Sequence, residues 1–342
     1  MTEEITKPKG IKHKAKTKTE KDALRIENKA ERKKKFKRII KDWRLWVMVL
    51  PLLIWLFFFA YKPMYGISIA FLKYSPFKGI SGSQFIGLDN FKELMFGASS
   101  EYFWRAFKNT IIISAYGIIF GFPMPIILAI FLHEVRNSKA RKIVQTVTYA
   151  PHFLSEVIVC SLLLTMLAMN SGLFNVLIDK VLGIFGIDYH SIQFMAESKY
   201  FRGIYTISGI WKEAGFNSIV FFSALCGISS ELYEAARVDG ASRLKQILHI
   251  SLPGITPTIV IMLIIRVGNI LNVGYEKVLL LYNPTIYDKA DILSTYIYRM
   301  GVQNNPNYGM STAASLMNSL IGFTLVILAN RISKKFSETS LW

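Results

Sequence analysis

Long apolar runs separated by short polar segments dominate this chain. A bilayer core of roughly 30 Å takes about 20 apolar residues as helix. Six stretches reach that length: 45–66, 109–133, 143–169, 203–227, 257–281 and 312–332. Pro51, Pro123, Pro125 and Pro151 fall inside them. A membrane helix tolerates proline when neighbouring groups satisfy the freed carbonyls. The pattern predicts an all-α, polytopic integral membrane protein with six transmembrane helices over residues 45–342, preceded by a separate tail, 1–44.

The connection 229–256 is too long for a tight turn. Glu231, Leu232, Ala235 and Ala236 suit a short helix there, and Asp239-Gly240 supplies a turn. Gly240 permits a reversal that bulkier residues resist. Residues 241–250 predict a second helix with Leu244, Ile247, Leu248 and Ile250 on its apolar face. Leu252-Pro253 is expected to end it and turn the chain back to the membrane. In the segment 61–108, Phe91, Leu94 and Met95 recur at helical spacing and predict a short interfacial helix.

Composition sharpens this picture. Hydrophobic residues make up 52% of the chain and charged residues 19%, yet the net charge is +18. Apolar bulk and charge are sorted along the chain, which argues against a basic soluble protein. The tail holds seventeen lysines and arginines against seven acids. Such a block can contact nucleic acid or anionic lipid, but a solvated cytoplasmic extension that fixes orientation is the simpler reading, and no nucleic-acid partner is expected. No cleavage pattern precedes the first apolar run, so that run is expected to be retained. With Lys62 and Arg331 at span ends counted on the side they adjoin, basic residues number 27 on the side of the tail and 11 on the other. Both termini and the connection 229–256 are therefore expected in the cytoplasm.

Other chemistry is sparse. Cys160 and Cys226 lie in apolar runs and read as packing residues. The five histidines show no metal-ligand spacing, so no metal site is expected. Gly117 and Gly121 form a small-xxx-small pair that can seat a neighbouring helix. Lys212, Glu213, Arg266, Glu276 and Lys277 are charges inside the fourth and fifth stretches, where charge is expensive and faces a protein interior or a water-filled path. Snorkelling or interhelical pairing would also account for them.

The most specific motif is Glu234-Ala235-Ala236, then Asp239-Gly240-Ala241, then Leu252-Pro253. This spacing resembles the EAA loop of type I ABC importer permeases, the binding-protein-dependent transport inner-membrane components. Gly87-Leu88-Asp89-Asn90-Phe91 resembles a segment of the carbohydrate-uptake group. Lys62-Pro63-Met64-Tyr65-Gly66, Asn269-Ile270-Leu271-Asn272-Val273-Gly274 and Ser340-Leu341-Trp342 are similar to the Lpl-type complex oligosaccharide permeases.

The resemblance implies one half of a permease heterodimer in a bacterial cell membrane, embedded in lipid. Its partners would be a second permease subunit, two ATP-binding subunits, an extracytoplasmic solute-binding lipoprotein and an oligosaccharide. The chain has no G-x-x-x-x-G-K-[ST] phosphate loop, so ATP and Mg would be bound by the partner ATPase, and the chain itself would be no enzyme and hold no cofactor. The EAA-loop residues would couple it to the ATPase. In related permeases the sugar site lies between the fourth and fifth spans. That makes Trp211, Lys212, Glu213, Asn217, Arg266, Asn269, Asn272, Tyr275 and Glu276 the candidate pathway residues. Asn269, Asn272 and Glu276 would share one face of a continuous helix. An ion-gradient-driven secondary sugar transporter and a membrane-embedded enzyme acting on glycans or lipids remain the rival readings. Dependence of uptake on a co-expressed ATPase separates them.

Overall fold

The computed structural model describes residues 43–271, 273–303 and 305–336 and divides into two units, Met1–Gly66 and Ile67–Trp342. The tail up to residue 42, Asn272 and Ser340-Leu341-Trp342 lie outside the described residues. In the first unit, helix α1 (Trp43–Leu56) is apolar on every side and none of its residues is buried. That suits contact with lipid or another subunit.

Four helical segments are long and apolar enough to cross a bilayer: Trp43–Phe71, Ser100–Glu134, Arg243–Gly268 and Tyr308–Arg331. Two more are bent pairs, Ser138–Phe153 with Glu156–Met166 at 98° and Ser198–Cys226 with Ser230–Val238 at 69°, so the spans number four to six. The only strands among the described residues are β1 (Leu72–Lys73) and β2 (Gln84–Phe85), an antiparallel pair.

In the second unit, α2 (Asp89–Phe96) leads into α3 (Ser100–Tyr116) and α4 (Pro123–Glu134). Next come α5 (Ser138–Tyr149), α6 (Glu156–Met166), α7 (Leu173–Ile184) and the long α8 (Ser198–Cys226). They are followed by α9 (Ser230–Val238), α10 (Leu252–Gly268), α11 (Tyr275–Leu281), α12 (Leu293–Val302) and α13 (Tyr308–Phe336). Helix α8 packs along α4, and Ile126, Ala129, Phe221 and Leu225 close a buried cluster with Ile255 of α10.

Three π-helical turns interrupt these helices: Phe57–Tyr61, Gly117–Gly121 and Ile247–Ser251. Each ends two residues before a proline, namely Pro63, Pro123 and Pro253. A proline inside a helix removes the N–H that would bond the carbonyl four residues back. Widening the preceding turn moves the bonding to i→i−5. Lys62 N–H donates to Phe57 O, and Leu252 N–H donates to Ile247 O, in that pattern.

The structure departs from the sequence expectation at three places. Leu252-Pro253 does not end the second loop helix. The chain runs from Arg243 through the widened turn into α10, because that turn accommodates the proline. The stretch 143–169 is bent where Pro151 opens a short 3-10 turn (Ala150–Phe153) and Ser155 caps a new helix by accepting from Ile158 N. The stretch 257–281 is interrupted: α10 stops at Gly268, and α11 starts again only after Gly274. The short helix expected around Phe91, Leu94 and Met95 forms as α2 and docks on its neighbours. Its Leu94 is fully buried with Phe103, Ala106, Leu293, Tyr296 and Ala314, and Asn90 Nδ2 donates to the carbonyls of Ala70 (2.9 Å) and Leu72 (3.1 Å).

Buried polar contacts tie α3 to α12. Asp291 is 0% exposed and accepts from Arg299 Nη2 at 2.6 Å and Thr295 Oγ1 at 2.9 Å. Its backbone carbonyl accepts from Asn109 Nδ2 at 3.0 Å. Burial lowers the Arg299 pKa, but the hydrogen bonds and charge of Asp291 outweigh that and hold it above the ordinary arginine range. Asp291→Ala strands the guanidinium and is expected to cost about 3 kcal/mol. A lowered midpoint in a thermal unfolding assay in detergent checks this, and an unchanged midpoint refutes it.

Candidate functional site

A cavity of ≈ 550 Å³ opens between α3, α6, α8, α10 and α11. The size is that of a small-molecule site. Its polar lining groups come from all five helices. Ser114 comes from α3, Glu156 from α6, Lys212, Glu213 and Asn217 from α8, Arg266 from α10, and Lys277 from α11; Asn269 joins them from just past α10.

The charges are arranged unequally. Lys212 is buried, and its Nζ lies 2.7 Å from Glu156 Oε1 and 4.0 Å from Glu213 Oε1. Glu213 Oε2 lies 2.9 Å from His152 Nδ1, and the His152 ring stacks on Phe216 at 3.8 Å. The other Glu156 oxygen is buried and has no hydrogen-bond partner. Lys277 is 5% exposed; its Nζ donates to the Tyr205 carbonyl at 3.0 Å and lies 4.7 Å from the Tyr205 ring centre. Arg266 lies so close to α3 that a Cβ on Gly117 would stand 2.9 Å from its Nη2. Neither Lys277 nor Arg266 has a carboxylate within ion-pair distance among the described residues. The cavity lining therefore carries three cations, Lys212, Arg266 and Lys277, against two carboxylates, Glu156 and Glu213, an excess of one positive charge.

The interruption after α10 shapes one wall. Ser114 Oγ donates to the Ile270 carbonyl, and Gly274 N donates to Tyr205 Oη at 3.1 Å. A Cβ on Gly274 would lie 2.9 Å from that hydroxyl, so glycine allows the contact.

Five of the nine pathway candidates meet here: Lys212, Glu213, Asn217, Arg266 and Asn269. Trp211 is 47% exposed and outside the cavity, about 100° around the helix from Lys212. Tyr275 and Glu276 are outside it as well, and the break before α11 removes the continuous face that would have aligned Glu276 with Asn269. Asn272 lies outside the described residues. Sequence reasoning missed Glu156 and Tyr205 and left Lys277 without a role. Glu156 carried a signal, since it is an acid inside the third apolar stretch.

The connection after α8 forms a second feature. Ser229 caps α9 by accepting from Glu231 N. At its other end Gly240 has φ +75°, Gly240 N donates to Arg237 O (3.1 Å) and Ala241 N donates to Ala236 O (2.8 Å). These two bonds make a Schellman motif. Glu234, Ala235, Asp239, Gly240 and Pro253 are exposed, and Ala236, Ala241 and Leu252 are half-buried. Leu232, Val238, Leu244 and Leu248 also stand exposed, an apolar surface of the kind that binds another protein. Tyr233 Oη lies 2.9 Å from Ser251 Oγ, and Arg243 Nη1 donates to Glu134 Oε2 at 3.1 Å, which fixes the loop to α10 and α4.

Membrane-crossing helices around a charged cavity, with an exposed loop set for another protein, define the membrane subunit of a transport system. The chain belongs to the family of binding-protein-dependent transport system inner membrane components, matched over residues 121–338. It is 40% identical over 317 residues to the polygalacturonan/rhamnogalacturonan transport system permease protein YteP of Bacillus subtilis (strain 168), covering 93% of this chain and 96% of that one. It is 38% identical to Protein LplB of the same strain, covering 88% and 92%. Among solved structures, it is similar to a chain of a bacterial alginate ABC transporter in complex with an alginate pentasaccharide-bound periplasmic protein. That likeness has a TM-score of 0.80 and 44% identity, and covers 90% of this chain and 99% of the other.

Proposed function

We propose that this chain is one half of the permease of an ATP-driven importer for acidic oligosaccharides. The observation that carries the reading is the charge inventory of the central cavity, where three cations face two carboxylates and neither Lys277 nor Arg266 has a carboxylate within ion-pair distance among the described residues. A uronate carboxylate supplies what they lack, while Asn217 and Asn269 suit sugar hydroxyls. The names of relatives point the same way, since alginate and polygalacturonan are polyuronates. A second permease subunit completes the pathway, and an extracytoplasmic solute-binding protein delivers the sugar. Two ATPase subunits bind ATP and Mg²⁺ and dock on the exposed loop, with Glu234, Ala235, Ala236, Asp239, Gly240, Ala241, Leu252 and Pro253 at or beside the contact. Both termini and that loop face the cytoplasm, as the basic side of the chain requires.

The test is uptake by the complete complex in proteoliposomes, comparing trigalacturonate with its neutral methyl ester. Arg266→Gln combined with Lys277→Met is expected to lower trigalacturonate uptake at least about tenfold, the scale of one lost charge-assisted hydrogen bond, and to leave the ester nearly unchanged. Equal loss of both sugars would refute the assignment of substrate charge. Uptake by this chain without any ATPase would replace the whole reading with a secondary transporter.

A further inference from the structure

A second cavity, of ≈ 430 Å³, opens where the N-terminal part of α3 meets α12 and the start of α13. Its lining includes Tyr102, Arg105, Tyr287, Tyr296, Arg299 and Asn307. The two arginines differ in their charge balance. Arg299 is neutralised by Asp291 and lies 4.7 Å from the Tyr287 ring centre and 5.9 Å from that of Tyr296. Arg105 has no carboxylate within ion-pair distance among the described residues. Its guanidinium lies 5.1 Å from the Tyr102 ring centre, and its Nε is buried without a hydrogen-bond partner. A planar, permanently charged group whose Nε lacks a partner lines a pocket with three tyrosines.

That combination suits a sugar acid. Aromatic faces cover the C–H face of a pyranose ring, and a guanidinium takes a carboxylate through parallel N–H bonds. The pocket lies towards the outer end of α3, about half a turn around that helix from the face that lines the central cavity. Arg105 and Ser114 share α3, nine residues apart, so about 13 Å separates them along the axis. On the proposed orientation Arg105 is at the outer end.

We infer that this pocket is an outer subsite that holds the carboxylate of a uronate residue of the incoming sugar. The inference rests on the proposed import of acidic oligosaccharides. Arg105 supplies the charge, Asp291 positions Arg299 beside it, and Tyr102, Tyr287 and Tyr296 form the walls.

Two measurements on the wild-type and variant complexes test it. In the first, phenylglyoxal modifies the reconstituted wild-type complex, and mass spectrometry follows the rate at Arg105. Trigalacturonate is expected to slow that rate several-fold, and its methyl ester to leave it unchanged. Equal rates with and without trigalacturonate overturn the subsite. In the second, Arg105→Gln is expected to raise the half-saturating trigalacturonate concentration for uptake about tenfold and leave the ester unaffected, while Arg105→Lys has a smaller effect. Equal impairment of both sugars overturns the inference, placing Arg105 against the solute-binding protein or in the packing. If the wild-type complex imports no trigalacturonate at all, the proposed function itself fails. If it imports the sugar and Arg105→Gln changes nothing, only the outer subsite fails.

Discussion

Gly240→Pro is expected to reduce ATP-driven uptake to the background rate while the protein still reaches the membrane. Gly240 holds φ +75°, and a proline ring fixes φ near −65°. The substitution also removes the N–H that donates to Arg237 O at 3.1 Å, and with it one of the two bonds that close α9. The reversal between the loop helices is then lost, and Glu234, Ala235 and Ala236 no longer face a partner in one fixed arrangement. The bilayer-crossing helices do not depend on this turn, so insertion persists. Gly240→Ala keeps the N–H and pays about 1–2 kcal/mol for the left-handed conformation, so it should retain part of the activity. The check is uptake normalised to inserted protein, together with recovery of the co-purifying ATPase. Wild-type uptake by Gly240→Pro would remove this loop from energy coupling.

Gly215→Ala is expected to have the largest effect on folding. A Cβ at this position would lie 1.9 Å from Thr148 O and 2.4 Å from Thr148 C. These are backbone atoms, so no side-chain rotation relieves the clash. Helix α8 and the C-terminal end of α5 would have to separate, at a cost of about 3 kcal/mol or more. That separation would also pull on the His152 and Glu213 pair, which joins the same two segments. Gly203, in the same helix, meets nothing within 4 Å of a built Cβ. Gly203→Ala should be neutral or stabilising by up to about 1 kcal/mol. Yield and thermal midpoint of the two variants in detergent decide the matter. Similar behaviour of both would show that the close contact at Thr148 is not required.

The helices that cross the bilayer were legible because their signal is the length of an apolar run, which needs no knowledge of neighbours. The interruption at Asn269–Gly274 was not. Ile270, Leu271 and Val273 keep the average hydropathy apolar across the break in spite of Asn269, Asn272 and Gly274, so hydropathy alone reads one helix where the backbone makes two. The same blindness carried over to the site. Lys212, Glu213, Asn217, Arg266 and Asn269 could be found as polar residues in apolar surroundings. Glu276 was aligned with Asn269 by a register counted across the break, and it stands outside the cavity. Trp211 shows the limit of sequence adjacency, since a neighbour on a helix points about 100° away. Glu156 and Tyr205 acquire their positions only through tertiary contact, Glu156 with Lys212 and Tyr205 with Lys277.

The widened turn Ile247–Ser251 has a mechanical consequence. A π turn is a soft point in an otherwise stiff rod, and this one stands between the exposed loop and α10. Any push delivered at the loop would be partly spent in bending it. The contact between Tyr233 Oη and Ser251 Oγ at 2.9 Å works as a strut around the soft point. It carries load from α9 to the last residue before α10, and the weakest stretch of the rod is bypassed.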